Sequence, residues 1–399
     1  MTMREFLDYY YKYKIIPVVN ISDFPLNKIY DQRDFFYYKL GINPHNFENK
    51  KVIEFCPGNG VNAHYLINKV KIKKITLVDN NPSSILNLKK NLSKFNNVSI
   101  KNIDLKKFHT NEKFDVVILE NALPCFKNPK KILNKLLNIC NPGGVIIKTL
   151  TDEVGIFSEK LRFVLAKKIL KNTNEEQFKN NLKILSGFFK SHLASLKTKT
   201  RRVDKWVLDN ILHEDWIKKD KYFNLINLYS VLKKTNSYFI SSMSPKLGPD
   251  YDWYKKSTIK KHNYNFIKSY QENQINLLNF SEEFSSKYHL ICKDIIKEIS
   301  KASKVINKLN FSKKLSDKKN YIKINNILVI IISKLNKIKK DSNTSKAIKE
   351  FINFRYQKMK YFKIFWGRAT NSVAIFKTKK NGGRGACEGM FRSIKEIGR

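Results

Sequence analysis

Between Lys51 and Leu150, short apolar runs rich in β-branched residues alternate with segments whose apolar positions recur every three or four residues. The first kind reads as buried strands and the second as amphipathic helices, an order that belongs to a parallel sheet covered by helices. Strands are predicted at Lys51–Phe55, Lys74–Val78, Val98–Ile100, Phe114–Leu119 and Val145–Thr149. Helices are predicted over "NAHYLINKV", "PSSILNLKKNL" and "PKKILNKLLNIC" between them. Residues 1–49 read as mostly helical, packed against the sheet edge or covering its ligand side.

After Leu150 the pattern changes to long helical stretches rich in Lys and Asn, broken by two strand-like runs, "SYFISSM" (Ser237–Met243) and "SVAIFKT" (Ser372–Thr378). Two late strands would complete a seven-stranded, mostly parallel α/β sheet. The expected division is an N-terminal helical segment (1–49), a core (50–150), a helical insertion (151–236), a sixth strand and loop (237–249), a second insertion (250–361) and a final strand (362–380). The insertions are too long to be connections and are expected to cap the carboxyl ends of the strands, where open α/β sheets take ligands. The last 19 residues hold five of the 14 glycines, and 381–399 are set aside as a disordered tail.

Composition changes this picture little. The net charge of +43 suggests a polyanion partner. Only ten of the 77 basic residues are Arg, however, and the lysines spread from Lys12 to Lys380. Abundant Lys, Asn and Ile together are what an AT-rich genome produces, so nucleic acid is the less favoured partner and a small molecule the favoured one. Five cysteines without CxxC or Cys/His spacing give neither a disulfide framework nor a metal site, which fits a reducing cytoplasm. The start "MTMREFLDYYYKYK" lacks the apolar core of an export signal, and "ILVIII" (Ile327–Ile332) is far shorter than the ~20 residues of a membrane span.

Chemistry concentrates at "VIEFCPGNG" (Val52–Gly60), a strand running into a turn and a helix, with Gly58, Gly60 and Ala63 in G-x-G-x-x-A spacing. Glycines there let backbone approach a ligand, and free amides at the helix start favour a negative group. Asp79 ends "ITLVD", 21 positions after Gly58, where a carboxylate can accept both hydroxyls of a ribose. That serves NAD or S-adenosylmethionine equally. Asp104, past the third strand, is in reach of an adenine amine, and Pro142, Gly143 and Gly144 precede the fifth strand. The set points to methyl transfer.

Residues 52–150 resemble the class I S-adenosylmethionine-dependent methyltransferases: "VIEFCPGNG" is similar to their first motif, "LVDNNP" to the second, "FDVVILENAL" to the fourth strand and "NPGGVII" to the stretch before the fifth. With "KLGINPHNF", "DKWVLDNILHEDW", "SPKLGPDYDWYKK" and "FWGRATNSVAIF", the chain looks like a largely uncharacterised bacterial subgroup of those enzymes over most of residues 30–380. The resemblance implies that Glu54 orients the loop and the amino group of S-adenosylmethionine, that Gly58 and Gly60 pass under its amino-acid end, and that Phe55, Pro57 and Asn59 also bind the cofactor. It implies that Asp79 holds the ribose, that Asn80 and Asp104 meet the adenine, and that Glu120 and Asn121 lie beside the methyl. "ENALPCF" lacks the Pro-Pro-aromatic motif of many amine-methylating nucleic-acid enzymes, which lowers the odds of base methylation.

For the acceptor, a helix over "RRVDKWVLDNILHEDW" would place Trp206, Asp209, Asn210 and His213 on one face, with Val207, Leu208, Ile211 and Leu212 on the other. His213 and Glu120 are the candidate bases. Tyr251 and Trp253 follow the sixth strand, and Arg368 precedes the last, where it could grip a carboxylate or phosphate. A solvated helix face, aromatic anchors and a surface ion pair explain the same residues. Tyr-rich "DYYYKYK" would close over the adenine or simply pack.

Overall fold

The computed structural model describes residues 3–14, 16, 21, 25–170, 177–196, 202–219, 222–243, 258–309, 317–354 and 359–378. Tyr251, Trp253 and the 381–399 segment lie outside these.

Seven strands form one sheet in the order β3-β2-β1-β4-β5-β7-β6. They are β1 (Lys51–Phe55), β2 (Lys74–Asp79), β3 (Val98–Asn102), β4 (Phe114–Leu119), β5 (Cys140–Thr151), β6 (Ser237–Ser242) and β7 (Thr370–Lys377). The first five pair in parallel, and β6 pairs antiparallel with β7. This is a Rossmann-like α/β sheet. β1 and β4, buried on both faces, are the near-continuous apolar runs that parallel pairing requires.

Helices start where the sequence supplies caps. Asn81 and Asn128 accept from Ser83 N and Lys131 N ahead of α4 (Pro82–Leu92) and α5 (Pro129–Ile139), each with proline at the first position, a pairing of side-chain cap and preset φ. α2 (Leu26–Lys39) sends Tyr37 into the cluster formed by α3 (Val61–Tyr65), α4 and one sheet face.

One element departs from expectation. β5 begins at Cys140, so Pro142, Gly143 and Gly144 lie inside the strand. The pairing jumps from Phe114–Cys140 to Val116–Val145, an irregularity that absorbs the extra residues. Gly143 takes φ +86°, and a Cβ on Gly144 would meet the Asp115 carbonyl at 2.7 Å.

The chain divides into two compact units. The first comprises 1–150, 223–270 and 371–399; the second, 151–222 and 271–370. Helix α10 (Leu225–Leu232) and helix α11 (Ile259–Asn273) as far as Tyr270 thus belong with the sheet. The Asn263 side chain fastens α11 to β6, donating to Ser237 O and accepting from Phe239 N, while Phe266 stacks on Phe239.

The second unit is helical. Its central helix α6 (Glu153–Ile169) is buried nearly all round, with Lys160, Arg162 and Lys167 among its buried residues. Lys167 pairs with Asp317, and Lys160 donates to Asn307. No helix among the described residues is long and apolar enough to cross a membrane.

Candidate cofactor site

The order of strands reverses between β1 and β4, the place where open α/β sheets form a ligand crevice. The loop after β1 borders it. Cys56, Gly58 and Gly60 all take positive φ (54°, 58° and 76°). Gly60's φ of +76° is one that L side chains rarely adopt, which favours glycine there, and a Cβ would in addition press on the Leu88 side chain at 2.8 Å. Asn59 is fastened from α4, its side chain by Asn87 and its carbonyl by Asn91.

Asp79, at the end of β2, is 7% exposed and accepts the Asn81 amide at 2.9 Å. Burial raises its pKa to about 6, opposed by the amides of Asn81, Asn80 and Gly58 and the Ser84 hydroxyl. The carboxylate therefore ties the glycine loop to the second strand. Asp104 accepts from Lys106 N at 2.7 Å, and the turn after it is clamped by Lys135, whose ammonium donates to the carbonyls of Leu105, Lys106 and Phe108. From α1 (Met3–Tyr13), the Tyr11 hydroxyl donates to Asn80 O at 2.9 Å. Burial raises the Tyr11 pKa, and the charges of Asp79, Asp8 and Asp104 raise it further, so the Tyr11 hydroxyl lies within electrostatic reach of both crevice aspartates.

Across the crevice, Arg33 of α2 holds Glu120 by both carboxylate oxygens, at 2.6 and 3.1 Å, and reaches Tyr37 Oη at 3.4 Å. Burial works against the guanidinium charge, but Glu120 and Tyr37 raise its pKa above the usual value. Tyr37 in turn donates to Asn62 Oδ1 at 2.8 Å. Asn121, next after Glu120, takes φ +56°, a left-handed conformation that asparagine tolerates better than most residues. Sequence reasoning missed Arg33, Tyr37 and Asn62. The available signal was "YDQRDFFYY", where Tyr30, Arg33, Asp34 and Tyr37 share one helical face.

Glu54 sits inside this network, 4% exposed. Burial pushes its pKa up to about 8, the Glu120 charge adds to the rise, and Arg33 and Asn62 partly oppose it. Three buried atoms here make no hydrogen bond of ordinary geometry among the described residues, Glu54 Oε2, Asn62 Nδ2 and Arg33 Nε, although the Asn62 amide lies near enough to the Glu54 carboxylate to lower its pKa. Buried polar atoms are rarely left this way without a ligand or water to complete them. One acceptor and two donors are what an α-amino acid zwitterion needs, so the residues present fit the methionine end of S-adenosylmethionine.

The acceptor candidates of the 202–213 segment belong to the second unit. Trp206, Asn210 and His213 are buried in the second unit (4%, 5% and 1% exposed) together with Val207 and Ile211, so this segment is enclosed on both sides rather than polar on one. It is α8 (Val203–Val207) continued as a π-helical turn, Leu208–Leu212. The wider turn breaks the 3.6-residue register on which the expected faces depended. Asn210 donates to its own Trp206 carbonyl, and burial drives the His213 pKa down to about 4. Trp206 and Arg368 share a cavity, whereas Glu120 belongs to the first unit. Among the described residues no cluster of three or more His, Cys, Asp or Glu could hold a metal.

Residues 46–163 match a family described as a methyltransferase domain. No curated protein matches the chain. Among solved structures, the chain is similar to the N-methyltransferase NodS from Bradyrhizobium japonicum in complex with S-adenosyl-L-homocysteine, at 16% identity over 33% of this chain and 65% of that one, TM-score 0.28. It is similar to PKMT2 from Rickettsia typhi in complex with AdoHcy, at 18% identity over 53% of this chain and 43% of that one, TM-score 0.37. TehB from Haemophilus influenzae matches at 23% identity over 26% of this chain and 36% of that one, TM-score 0.24. The matched part spans under two-thirds of each of these three chains, and likeness at this level says nothing of the acceptor.

Proposed function

We propose that the protein, whose residues 46–163 match a methyltransferase domain, is a class I S-adenosylmethionine-dependent methyltransferase that moves the sulfonium methyl of that cofactor to a nucleophile on a small molecule or glycan precursor. The carrying observation is the incomplete network at Glu54, Asn62 and Arg33 beside the pinned loop at Gly58–Gly60. In this reading Glu54 takes the cofactor's amine, Asn62 and Arg33 its carboxylate, Asp79 the ribose hydroxyls, and Asn80 and Asp104 the adenine. Bound S-adenosylmethionine supplies an electrophilic methyl, so the chain has to orient the acceptor and keep water out.

The pairing of both Glu120 oxygens with Arg33 favours an anchoring role for Glu120 over that of a proton acceptor. His213, neutral at pH 7 but a weak base, is the remaining candidate. The small-molecule reading is supported by how the lysines are used. Lys135 and Lys377 cap backbone carbonyls, Lys69 pairs with Asp34, and Lys167 is buried against Asp317. Those charges serve the fold rather than a polyanion track.

The test compares thermal stabilisation by S-adenosylhomocysteine and by NADH, since a ligand that prefers the folded state raises the melting temperature. A rise with the first only, abolished by Asp79→Ala, is expected; a rise with NADH overturns the cofactor assignment. Radiolabelled methyl should then enter the low-molecular-weight fraction of an extract. Label in RNA or protein instead moves the acceptor to the second reading, which the basic composition favours. Tight cofactor binding with no labelled fraction would make the domain a silent binding module.

A further inference from the structure

We propose that the second unit contains a binding site for a small organic acid with a flat apolar body, held in the cavity beside the Trp366–Thr370 segment. The cavity measures about 280 Å³. That is close to the lower end of the range of roughly 300–1,000 Å³ found for small-molecule sites, enough for one or two rings. All its lining residues belong to the second unit, so the site stands whether or not the acceptor proposed above is correct.

One part of its lining is aromatic and aliphatic, the rest polar. Trp206 and Trp366 meet edge to face with ring centroids 5.6 Å apart, Leu193 adds an aliphatic wall, and Phe280 is 43% exposed. An aromatic ring exposed next to a cavity loses apolar hydration once a ligand covers it.

The wall is built rather than incidental. Trp366 O accepts from Phe280 N at 2.8 Å, Gly367 N donates to Ser158 Oγ at 3.0 Å, and Arg368 N donates to Leu277 O at 2.8 Å. Ala369 O accepts from Asp152 N at 3.3 Å, and the Trp366 indole N–H donates to Ser195 Oγ at 2.9 Å. Gly367 and Gly155 press backbone to backbone: a Cβ on Gly367 would lie 2.1 Å from Gly155 O, and one on Gly155 would lie 1.9 Å from Arg368 O. Behind the cavity wall, the Arg162 guanidinium lies 3.6 Å from the Trp366 ring centroid. A pinned wall costs little ordering entropy when a ligand arrives.

Charge selects the sign of the ligand. Burial lowers the Arg162 pKa to about 9, and Glu159, the carboxylate in the lining, only partly opposes that. Arg368 is exposed, and its guanidinium makes no hydrogen bond or ion pair among the described residues. A carboxylate or phosphate on the ligand would complete it, with the flat body against the indoles.

The experiment titrates full-length protein with 2-naphthoate, reading tryptophan fluorescence and heat, beside the uncharged 2-naphthalenemethanol and the cationic 2-naphthylmethylamine. Naphthoate should quench the fluorescence and bind at least tenfold more tightly than the other two. Arg368→Gln, a substitution at an exposed position, should bring naphthoate down to the level of the alcohol and leave the alcohol itself unchanged. Equal binding of the three probes, or an unaltered naphthoate affinity in Arg368→Gln, overturns the proposal, as does absence of binding by all three. Each arm is run with and without S-adenosylhomocysteine, whose own stabilising effect reports on the first unit independently.

Discussion

Glu54 in the first unit and Glu282 in the second are buried to nearly the same degree, 4% and 5% exposed, yet their pKa values move in opposite directions. At Glu282 burial alone would raise the value, but the Thr344 hydroxyl and amide and the Lys339 ammonium bring it below the usual range. The hydroxyl donates at 2.6 Å, the amides of Thr344 and Asn343 at 3.0 and 3.2 Å, and Lys339 lies at 3.1 Å. That carboxylate is completed by its own chain, closing the start of α14 (Asn343–Asn353). At Glu54 burial and the Glu120 charge prevail, and one oxygen is left without a donor among the described residues. Equal desolvation thus yields a finished cap in one place and a carboxylate with one oxygen left unpaired in the other. Incompleteness, more than burial, separates binding from structure.

Paired substitutions test this most sharply. Glu54→Gln should weaken S-adenosylhomocysteine at least a hundredfold, because the charge that meets the ligand's amine is lost, while the melting temperature of the empty protein holds or rises. Glu282→Gln should do the reverse, lowering stability by about 1–3 kcal/mol through its unsatisfied donors and leaving affinity within twofold. Calorimetric titration and thermal melts on both variants decide it. If the two behave alike, the distinction between them is lost.

A smaller effect lies in pH. The folded pKa of Glu54, about 8, stands above its ordinary value of 4.5, so the folded protein holds the proton more tightly than the unfolded chain does. Stability from this group is complete below about 4.5 and is lost as pH rises through about 8. Asp79, raised from 3.8 to about 6, acts likewise in a lower window. A bound ammonium favours the Glu54 carboxylate, so affinity for S-adenosylhomocysteine should rise from pH 6 towards 8, by at most about tenfold per unit, until the ligand's own amine deprotonates. The groups facing Glu54 are Glu120, which strengthens the trend, and Arg33 and Asn62, which weaken it. Melts from pH 5 to 9 with and without ligand should show the trend in the native protein and a flat response in Glu54→Gln.

How much of this was legible beforehand follows from the same contrast. The strands of the first unit were readable because a doubly buried parallel strand is a near-continuous apolar run, as in "KVIEF" and "FDVVIL", and because Asn-Pro pairs announce the helices that follow. The second unit was not. α6 buries Lys160, Arg162 and Lys167, residues that any polarity pattern assigns to solvent, and their partners lie as far along the chain as Asp317 and Phe362. The π-helical turn at Leu208–Leu212 shifted faces that a regular helix would have kept. At the cofactor site the glycines and Asp79 were visible in their own spacing, whereas Arg33 reaches Glu120 across 87 positions and no local pattern connects them.

Arg33 provides the finest test. Arg33→Lys keeps the cation but removes the planar fork that grips both Glu120 oxygens, so S-adenosylhomocysteine should weaken only about threefold to tenfold. Arg33→Met removes the charge that holds the Glu54 pKa down, and the pH at which ligand affinity levels off should move upward. A residue that merely packed α2 against the sheet would lower stability in both variants and leave that midpoint where it was. The midpoint therefore separates an electrostatic partner of Glu54 from a structural prop, and its constancy in Arg33→Met would return Glu54 to the class of Glu282, a buried carboxylate with only the fold to serve.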